Sequence, residues 1–196
     1  MSKWIVGGIA ALFALVVTSF YNGLVSSNEA VSAQWAQVEN VYQRRADLIP
    51  NLVQTVKGYA AHEQDTFIQV TEARSKVGQV KVNAENMTPA MLNQFQTVQG
   101  ELSSALSRLM VVVEKYPELK ASALFSDLMT QLEGTENRIA VERKKFNDLS
   151  REYNVAIKRF PRLLFAKLFN FGERPYFASE AGAEKAPVVD FSKPKR

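Results

Sequence analysis

The sequence predicts an all-α protein, in which an N-terminal transmembrane helix is followed by an antiparallel bundle of long helices. Three observations predict this fold. Every residue from Trp4 to Asn28 is uncharged. Beyond Val31 the apolar residues recur at every third or fourth position, as on one face of a helix. No stretch alternates apolar and polar residues with a period of two, so no β-sheet is expected.

The apolar part of the N-terminal run, Trp4 to Tyr21, is long enough to cross a bilayer, because about 18 helical residues span ~27 Å. A cleaved signal peptide has a shorter apolar region, which is followed closely by a cleavage site of small residues. Here the nearest such triplet, at 31–33, lies beyond Glu29. Aromatic residues at both ends are typical of the two membrane interfaces. We therefore predict a retained anchor over residues 1–25.

Small residues lie on one face of this anchor because they are spaced by four, three and four positions. They are Gly7, Ala11, Ala14 and Thr18. Such a face allows transmembrane helices to approach closely, which favours self-association in the membrane. The alternative is chance, since glycine and alanine are common in transmembrane segments.

Flanking charges indicate the orientation of the anchor. Lys3 and the terminal amine lie on one side, whereas Glu29 and Glu39 come first on the other. The positive-inside rule then predicts a cytoplasmic N-terminus and an extracytoplasmic body.

Four apolar stripes predict a helical bundle over residues 26–171. They run from Val31 to Tyr59, Phe67 to Val80, Leu92 to Val112 and Phe125 to Phe160. The fourth stripe is long enough for a coiled coil. Thr88-Pro89 and Tyr116-Pro117 are suited to helix starts, and Pro161 to a helix end. Repeated glycine and proline after residue 171 predict a flexible tail over residues 172–196.

Two residues break helix rules inside these stripes. Pro50 is expected to kink the first stripe. Gly134 lowers the helix propensity of the fourth stripe. It indicates either a close approach between helices or a substitution that evolution has tolerated.

The junction between anchor and bundle has two interpretations. Ser26 to Glu29 fits the S-x-x-E capping box, so a new helix could begin there after a hinge at Asn22-Gly23. Alternatively, one helix runs unbroken from the bilayer into the bundle, because Leu24, Val25 and Val31 continue the apolar character.

Polar residues also fall where the stripes require apolar ones, namely Arg45, Thr135 and Glu142. A buried charge needs a partner. We predict that Arg45 pairs with Glu136 or Glu142 and sets the register of the helices. The alternative is that Arg45 lies at the edge of its stripe and extends its guanidinium to water.

The segment from residue 160 to 171 is rich in phenylalanine and leucine. Its apolar residues are Phe160, Leu163, Leu164, Phe165, Leu168, Phe169 and Phe171. It could lie at the lipid interface, dock onto a neighbouring subunit, or cap its own bundle.

Few residues in the sequence form a recognisable catalytic or metal-binding motif. Cysteine is absent, and the single histidine, His62, is not followed by the second histidine of an H-E-x-x-H zinc motif. One histidine also cannot supply the two that a di-iron bundle needs. The stretch from Phe160 onward carries +3 of the net charge of +4, so the bundle is nearly neutral. We expect no enzyme activity, metal, cofactor, small-molecule substrate or nucleic-acid partner.

Several blocks of the chain resemble the LemA family. They are YNGLV at 21–25, Trp35, Val38, Glu39, QRRADLIPNLV at 43–53, TVKGYAAHE at 55–63, YPELK at 116–120, LEGTENRI at 132–139, Tyr153-Asn154 and Phe160-Pro161. The resemblance extends from the anchor to about Phe177. It implies a single-pass protein of the bacterial inner membrane, with an α-helical LemA-like domain and no established catalytic residues.

The resemblance also connects the chain loosely with membrane-protein quality control and with organelle-like membranes. Two functions are compatible with these features. The first is a membrane-anchored scaffold that forms a homo-oligomer at the lipid surface. The second is an adaptor that presents its bundle to a membrane protease or another partner.

Overall fold

The computed structural model describes residues 2–178 of the 196-residue chain. This part contains six helices and no strand, so the predicted all-α fold is confirmed. The helices are α1 (Ser2–Lys57), α2 (Gln64–Gln79), α3 (Pro89–Val113), α4 (Pro117–Lys120), α5 (Ala123–Lys158) and α6 (Arg162–Leu168).

Helix α1 is unbroken over 56 residues, or about 84 Å at 1.5 Å per residue. The hinge is therefore wrong and the continuous helix is confirmed. Ser27 is inside the helix, where its Oγ donates to the carbonyl oxygen of Gly23 at 2.9 Å. The apolar N-terminal part is long enough to span a membrane, and no other part of residues 2–178 buries it. Burial begins at Leu24, so the core starts just inside the predicted anchor.

Helices α1 and α5 pack along each other in opposite directions. Trp35 meets the ring of Phe146 at 5.5 Å, and Arg45 meets Glu136. The residue number rises along α1 while it falls along α5, which makes the pair antiparallel. Helix α5 therefore returns the chain to the end of the bundle at which the anchor enters.

Helices α2 and α3 form the second pair and are also antiparallel. Lys76 is 2.8 Å from Glu101, and Glu63 is 3.7 Å from Lys115. The order of the four long helices is therefore up, down, up and down, as short connections require.

The helix starts follow local chemistry. Thr88 caps α3 by accepting a hydrogen bond from the Met91 amide at 3.2 Å, with proline at the first helical position. Pro117 begins only the four-residue α4, and α5 starts after the N-cap Ser122. Helix α5 ends at Lys158, shortly before Pro161, as the sequence predicted.

Gly134 does not mark a close approach between helices of this chain. A Cβ placed on Gly134 would have no neighbouring heavy atom within 4 Å. That interpretation is therefore wrong within the part of the chain that the structure describes.

Residues 172–178 are packed against the bundle, which corrects the expected flexible tail for this stretch. Arg174 is 7% exposed and Phe177 is 6% exposed. The rest of the predicted tail, 179–196, lies outside the described residues.

The core consists of two apolar clusters arranged along the bundle. The cluster near the anchor contains Leu24, Trp35, Phe146, Tyr153 and Phe177 among its members. The far cluster contains residues of α1 from Ile49 onward, together with parts of α2, α3, α4 and α5. Arg45 lies between the two clusters along α1.

Candidate functional site

The end of the bundle that adjoins the anchor combines aromatic, basic and exposed apolar groups. We call it the base, and define it as α1 from Phe20 to Ser32 together with residues 147–178, which comprise the end of α5, the turn before α6, α6 and the segment after it. The base adjoins the point at which the apolar run of α1 ends. We therefore treat it as the candidate site.

Aromatic contacts hold α6 and the residues after it against α1. Phe165 stacks on Phe20 with ring centroids 5.3 Å apart. The ring of Tyr21 meets Phe169 at 4.9 Å and Phe171 at 5.9 Å. Because Phe20 and Tyr21 end the apolar run, these contacts place α6 level with the end of the anchor.

The segment from residue 160 to 171 is divided between two environments. Leu163, Phe165 and Phe171 are partly covered by the bundle, and Ala166 is buried. The side chains left in the open are Phe160 at 80%, Leu164 at 57%, Leu168 at 73% and Phe169 at 41% exposure. The segment therefore caps its own bundle with one side, while the other side has no cover within residues 2–178.

Two asparagines of α5 hold the extended C-terminal segment. Asn154 Nδ2 donates to the Arg174 carbonyl at 2.8 Å, and its Oδ1 accepts from the Arg174 amide at 2.8 Å. Asn147 makes the same pair of bonds to Phe177, at 3.1 and 2.8 Å. The two asparagines are seven residues apart on a helix, and their partners are three residues apart in an extended segment. Both separations correspond to ~10 Å, so each asparagine lies beside the backbone amide and carbonyl of one residue.

Arg174 ties that segment to α1 and to the loop before α3. Its Nε and Nη2 donate to Asn28 Oδ1 at 3.0 and 2.7 Å. Its Nη1 donates to the carbonyl oxygens of Ala84 and Glu85. These acceptors are neutral oxygens, so the buried charge is satisfied by hydrogen bonds rather than by a carboxylate.

Phe177 completes an aromatic group around Trp35. The Trp35 ring lies 5.3 Å from Phe95, 5.5 Å from Phe146 and 5.9 Å from Phe177. Trp35 Nε1 donates to the Val82 carbonyl at 3.2 Å, which satisfies its buried polar atom. The C-terminal segment is therefore part of the core near the anchor.

Arg45 is buried, with 2% exposure, in a polar layer between the two apolar clusters. Its Nη1 is 2.8 Å from Glu136 Oε1 and 3.1 Å from Ser103 Oγ. Its Nη2 donates to Gln99. Of the two carboxylates considered for Arg45, the structure brings Glu136 to it.

Glu142 has other partners. Its carboxylate accepts from Lys145 Nζ at 2.9 Å and from Gln34 Nε2 at 2.7 Å. These hydrogen bonds, that from Lys145 first, lower the pKa of Glu142 below its usual 4.5. Thr135, the third polar residue in the stripes, is satisfied in its own helix by the Gln131 carbonyl at 2.7 Å.

The small-residue face of the anchor is open. Ala11, Ala14 and Thr18 are exposed, and a Cβ on Gly7 would meet no heavy atom within 4 Å. Thr18 Oγ1 donates to the Ala14 carbonyl at 2.9 Å. The face therefore presents small groups with no unsatisfied hydroxyl, and nothing else in residues 2–178 covers it.

Groups suited to catalysis are not brought together in the described region. His62 is exposed in the turn after α1. Within residues 2–178 no three histidine, aspartate or glutamate side chains are placed to hold a metal ion.

Sequence reasoning missed Asn147, Asn154 and Arg174 as structural residues. Asn154 stands in one of the blocks that carry the family resemblance, and that was its only signal. Its partners are backbone groups 20 residues away, and no local pattern reveals such pairing.

Comparison with known proteins relates the chain to a family and to named relatives. The sequence model of the LemA family matches residues 34–191. Magnetosome protein MamQ of Magnetospirillum gryphiswaldense is 28% identical over 92% of this chain and 73% of its own length. Magnetosome protein MamQ 2 of Paramagnetospirillum magneticum is 28% identical over 86% of this chain and 68% of its own length. Protein LemA of Metamycoplasma hominis is 23% identical over 76% of this chain and 64% of its own length.

Proposed function

This chain belongs to the LemA family, and from that premise we propose that it is a membrane-anchored helical scaffold that self-assembles at the membrane surface without catalysing a reaction. The apolar N-terminal helix and the relatives support a membrane-associated helical protein. The self-assembly is our proposal.

The unbroken course of α1 is the observation that carries the proposal. The same helix forms the anchor and supplies Leu24, Val31 and Trp35 to the core. The bundle therefore cannot swivel on its anchor. When two anchors pack side by side, their bundles are held in a defined relative orientation, as an ordered assembly requires.

The open small-residue face supplies a surface on which anchors can meet. Close packing of small residues is a driving force that remains inside a bilayer, where apolar burial contributes little between helices. The names of the relatives are compatible with the proposal, since magnetosome protein MamQ is not named after a reaction.

Cysteine crosslinking in native membranes tests the contact, because the chain has no cysteine of its own. We expect Ala11→Cys to form disulfide-linked dimers and Phe13→Cys, on the opposite side of the helix, to form few. Adding an amine-reactive crosslinker should extend the Ala11→Cys dimers into a ladder. Equal crosslinking of the two variants, together with a monomer by light scattering in nanodiscs, would reject the scaffold.

The adaptor is the competing function, and the same preparation distinguishes it. Affinity purification that recovers a membrane protease in fixed ratio, with no second copy of this chain, would favour the adaptor.

We also propose that the protein lies in a bacterial inner membrane, which the family implies, with its bundle on the extracytoplasmic side, which the charges flanking the anchor favour. Ser107→Cys, at an exposed position of α3, should react in spheroplasts with a membrane-impermeant thiol reagent. Labelling only after lysis would reverse the orientation.

A further inference from the structure

A basic cleft opens at the base, on the side of Phe20 and the turn before α6. Its volume is about 610 Å³, and Phe20, the last turns of α5 and the start of α6 line it. Arg151, Arg159 and Arg162 stand around it, and Glu152 is the one acidic residue in the lining. The cleft therefore carries a net positive charge.

The contacts of the cleft with α1 define its position relative to the end of the apolar run. Phe20 lines it and ends the apolar run together with Tyr21. Arg162 reaches the same helix, since its Nη2 is 3.9 Å from the position of a Cβ on Gly23. A span of ~30 Å from Trp4 ends close to Gly23, so the cleft opens where lipid headgroups begin.

The arginine side chains of the cleft have few partners within the bundle. Among residues 2–178, neither Arg159 nor Arg162 has a side-chain hydrogen bond or ion pair. Arg151 has only Asp148, at 4.0 Å. The neighbouring Lys158, in contrast, is held by Glu173 at 2.7 Å. Guanidinium groups bind phosphate oxygens through paired hydrogen bonds, so two free arginines at headgroup height suit a phosphate.

Exposed apolar side chains continue from the same place. Phe160 lies in the turn before α6, Leu164 and Leu168 lie one turn apart on α6, and the three are 80%, 57% and 73% exposed. Lys167 lies among them and is exposed as well. An apolar face beside basic residues is typical of a segment that lies in the membrane interface. Here this apolar face adjoins the apolar part of α1. Because that part of α1 would be surrounded by lipid, we expect lipid rather than another protein to contact the face.

We propose that the base binds an anionic phospholipid, with its phosphate between Arg159 and Arg162 and its acyl chains against Phe160, Leu164 and Leu168. Each bundle thereby rests on the leaflet from which α1 emerges. Recognition of this lipid does not depend on self-assembly, since one chain supplies every group named.

Lipid recovery with the full-length protein tests the headgroup site. The protein is reconstituted in phosphatidylcholine with a minor fraction of phosphatidylglycerol, extracted with a small lipid shell, and the retained lipids are measured by mass spectrometry. We expect the retained lipid to be enriched in phosphatidylglycerol relative to the bulk membrane. In Arg159→Gln/Arg162→Gln this enrichment should fall about fivefold for each arginine lost. Arg44→Gln/Arg108→Gln removes the same charge from exposed positions distant from the base and should retain the enrichment. Equal loss in both double variants, or in neither, would overturn the headgroup site.

A spin label at Leu168→Cys tests the apolar contact in the same liposomes. Relaxation by oxygen should exceed relaxation by a water-soluble nickel reagent, and a label at Ser107→Cys should show the reverse. A label at Leu168→Cys with the profile of Ser107→Cys would overturn the membrane contact. Protection from both reagents would overturn it too, and would assign this face to a second copy of the chain. The crosslinking of Ala11→Cys is measured separately, so either proposal can fail alone.

Discussion

Arg74 donates from Nε to the carbonyl oxygen of Ala46 at 2.9 Å, which is the oxygen that Pro50 leaves without its helical partner. In an α-helix the carbonyl of residue 46 accepts from the amide of residue 50, and proline has no amide hydrogen. Helix α1 continues through Pro50, and the acceptor freed there connects α1 to α2. A residue that the sequence marks as a defect therefore creates a contact between helices.

We expect Arg74→Met to lower the free energy of unfolding by about 1.5–3 kcal/mol, because it leaves the Ala46 carbonyl without a donor. In a Pro50→Ala background the amide of residue 50 satisfies that oxygen, so the cost of Arg74→Met should fall by about 1 kcal/mol. Denaturant unfolding of the four variants measures this coupling. Additive effects would show that Pro50 and Arg74 act independently.

Arg45 should set the register of the bundle, since its polar layer separates two apolar clusters. Arg45→Met leaves Glu136, Gln99 and Ser103 facing an apolar side chain, and we expect a loss of about 2–4 kcal/mol. Glu136 is 43% exposed, so Glu136→Gln should cost about 1 kcal/mol or less. Thermal unfolding followed by circular dichroism measures both variants. An unchanged melting temperature for Arg45→Met would reject the register role.

Asn154 should determine whether the C-terminal segment stays docked. Asn154→Ala removes both hydrogen bonds to Arg174 and the bond to the Tyr176 hydroxyl at 2.9 Å. We expect a loss of about 2–3 kcal/mol and faster hydrogen exchange at the Arg174 and Phe177 amides. Asn137→Ala, at an exposed position of the same helix, is the matched control. Unchanged exchange at Arg174 would mean that its own side chain suffices to hold the segment.

Gly134→Ala should stabilise the bundle by about 0.5–1 kcal/mol, because alanine favours a helix interior and its Cβ meets no neighbour here. Gly100→Ala, whose Cβ would also be in open space in α3, should behave alike. Chemical unfolding at low protein concentration measures both. If Gly134→Ala alone weakened crosslinking between chains, the open side of Gly134 would be a contact with a second copy.

Stability should fall in acid partly through Glu142. Hydrogen bonds from Lys145 and Gln34 hold the pKa of Glu142 below 4.5 in the folded protein. The unfolded chain therefore binds this proton first, so the stabilisation is complete above about pH 5 and is lost as the pH falls through the folded pKa. Glu142→Gln should be less stable than the parent at neutral pH, with the difference shrinking below pH 4.5. A difference independent of pH would assign the effect to packing.

The sequence by itself determined the class of fold, the apolar helix at the N-terminus and the positions of the long helices. Helical periodicity, the cap at Thr88-Pro89 and the stop before Pro161 are local signals, because each depends on residues within one or two turns. The uncharged run likewise reports its own length and composition, which are what a bilayer selects.

Only the tertiary structure decided which of the possible polar pairs form and which apolar residues remain open. Arg174 meets Asn28 across 146 residues of chain, and of the two carboxylates predicted for Arg45 the structure selects Glu136, 91 residues away. The segment from residue 160 to 171 is rich in phenylalanine and leucine along its whole length, yet Phe165 is partly covered and Leu168 is exposed. Such outcomes depend on which helix faces the up-and-down packing brings together. The periodicity of an apolar stripe does not identify the helix against which it packs.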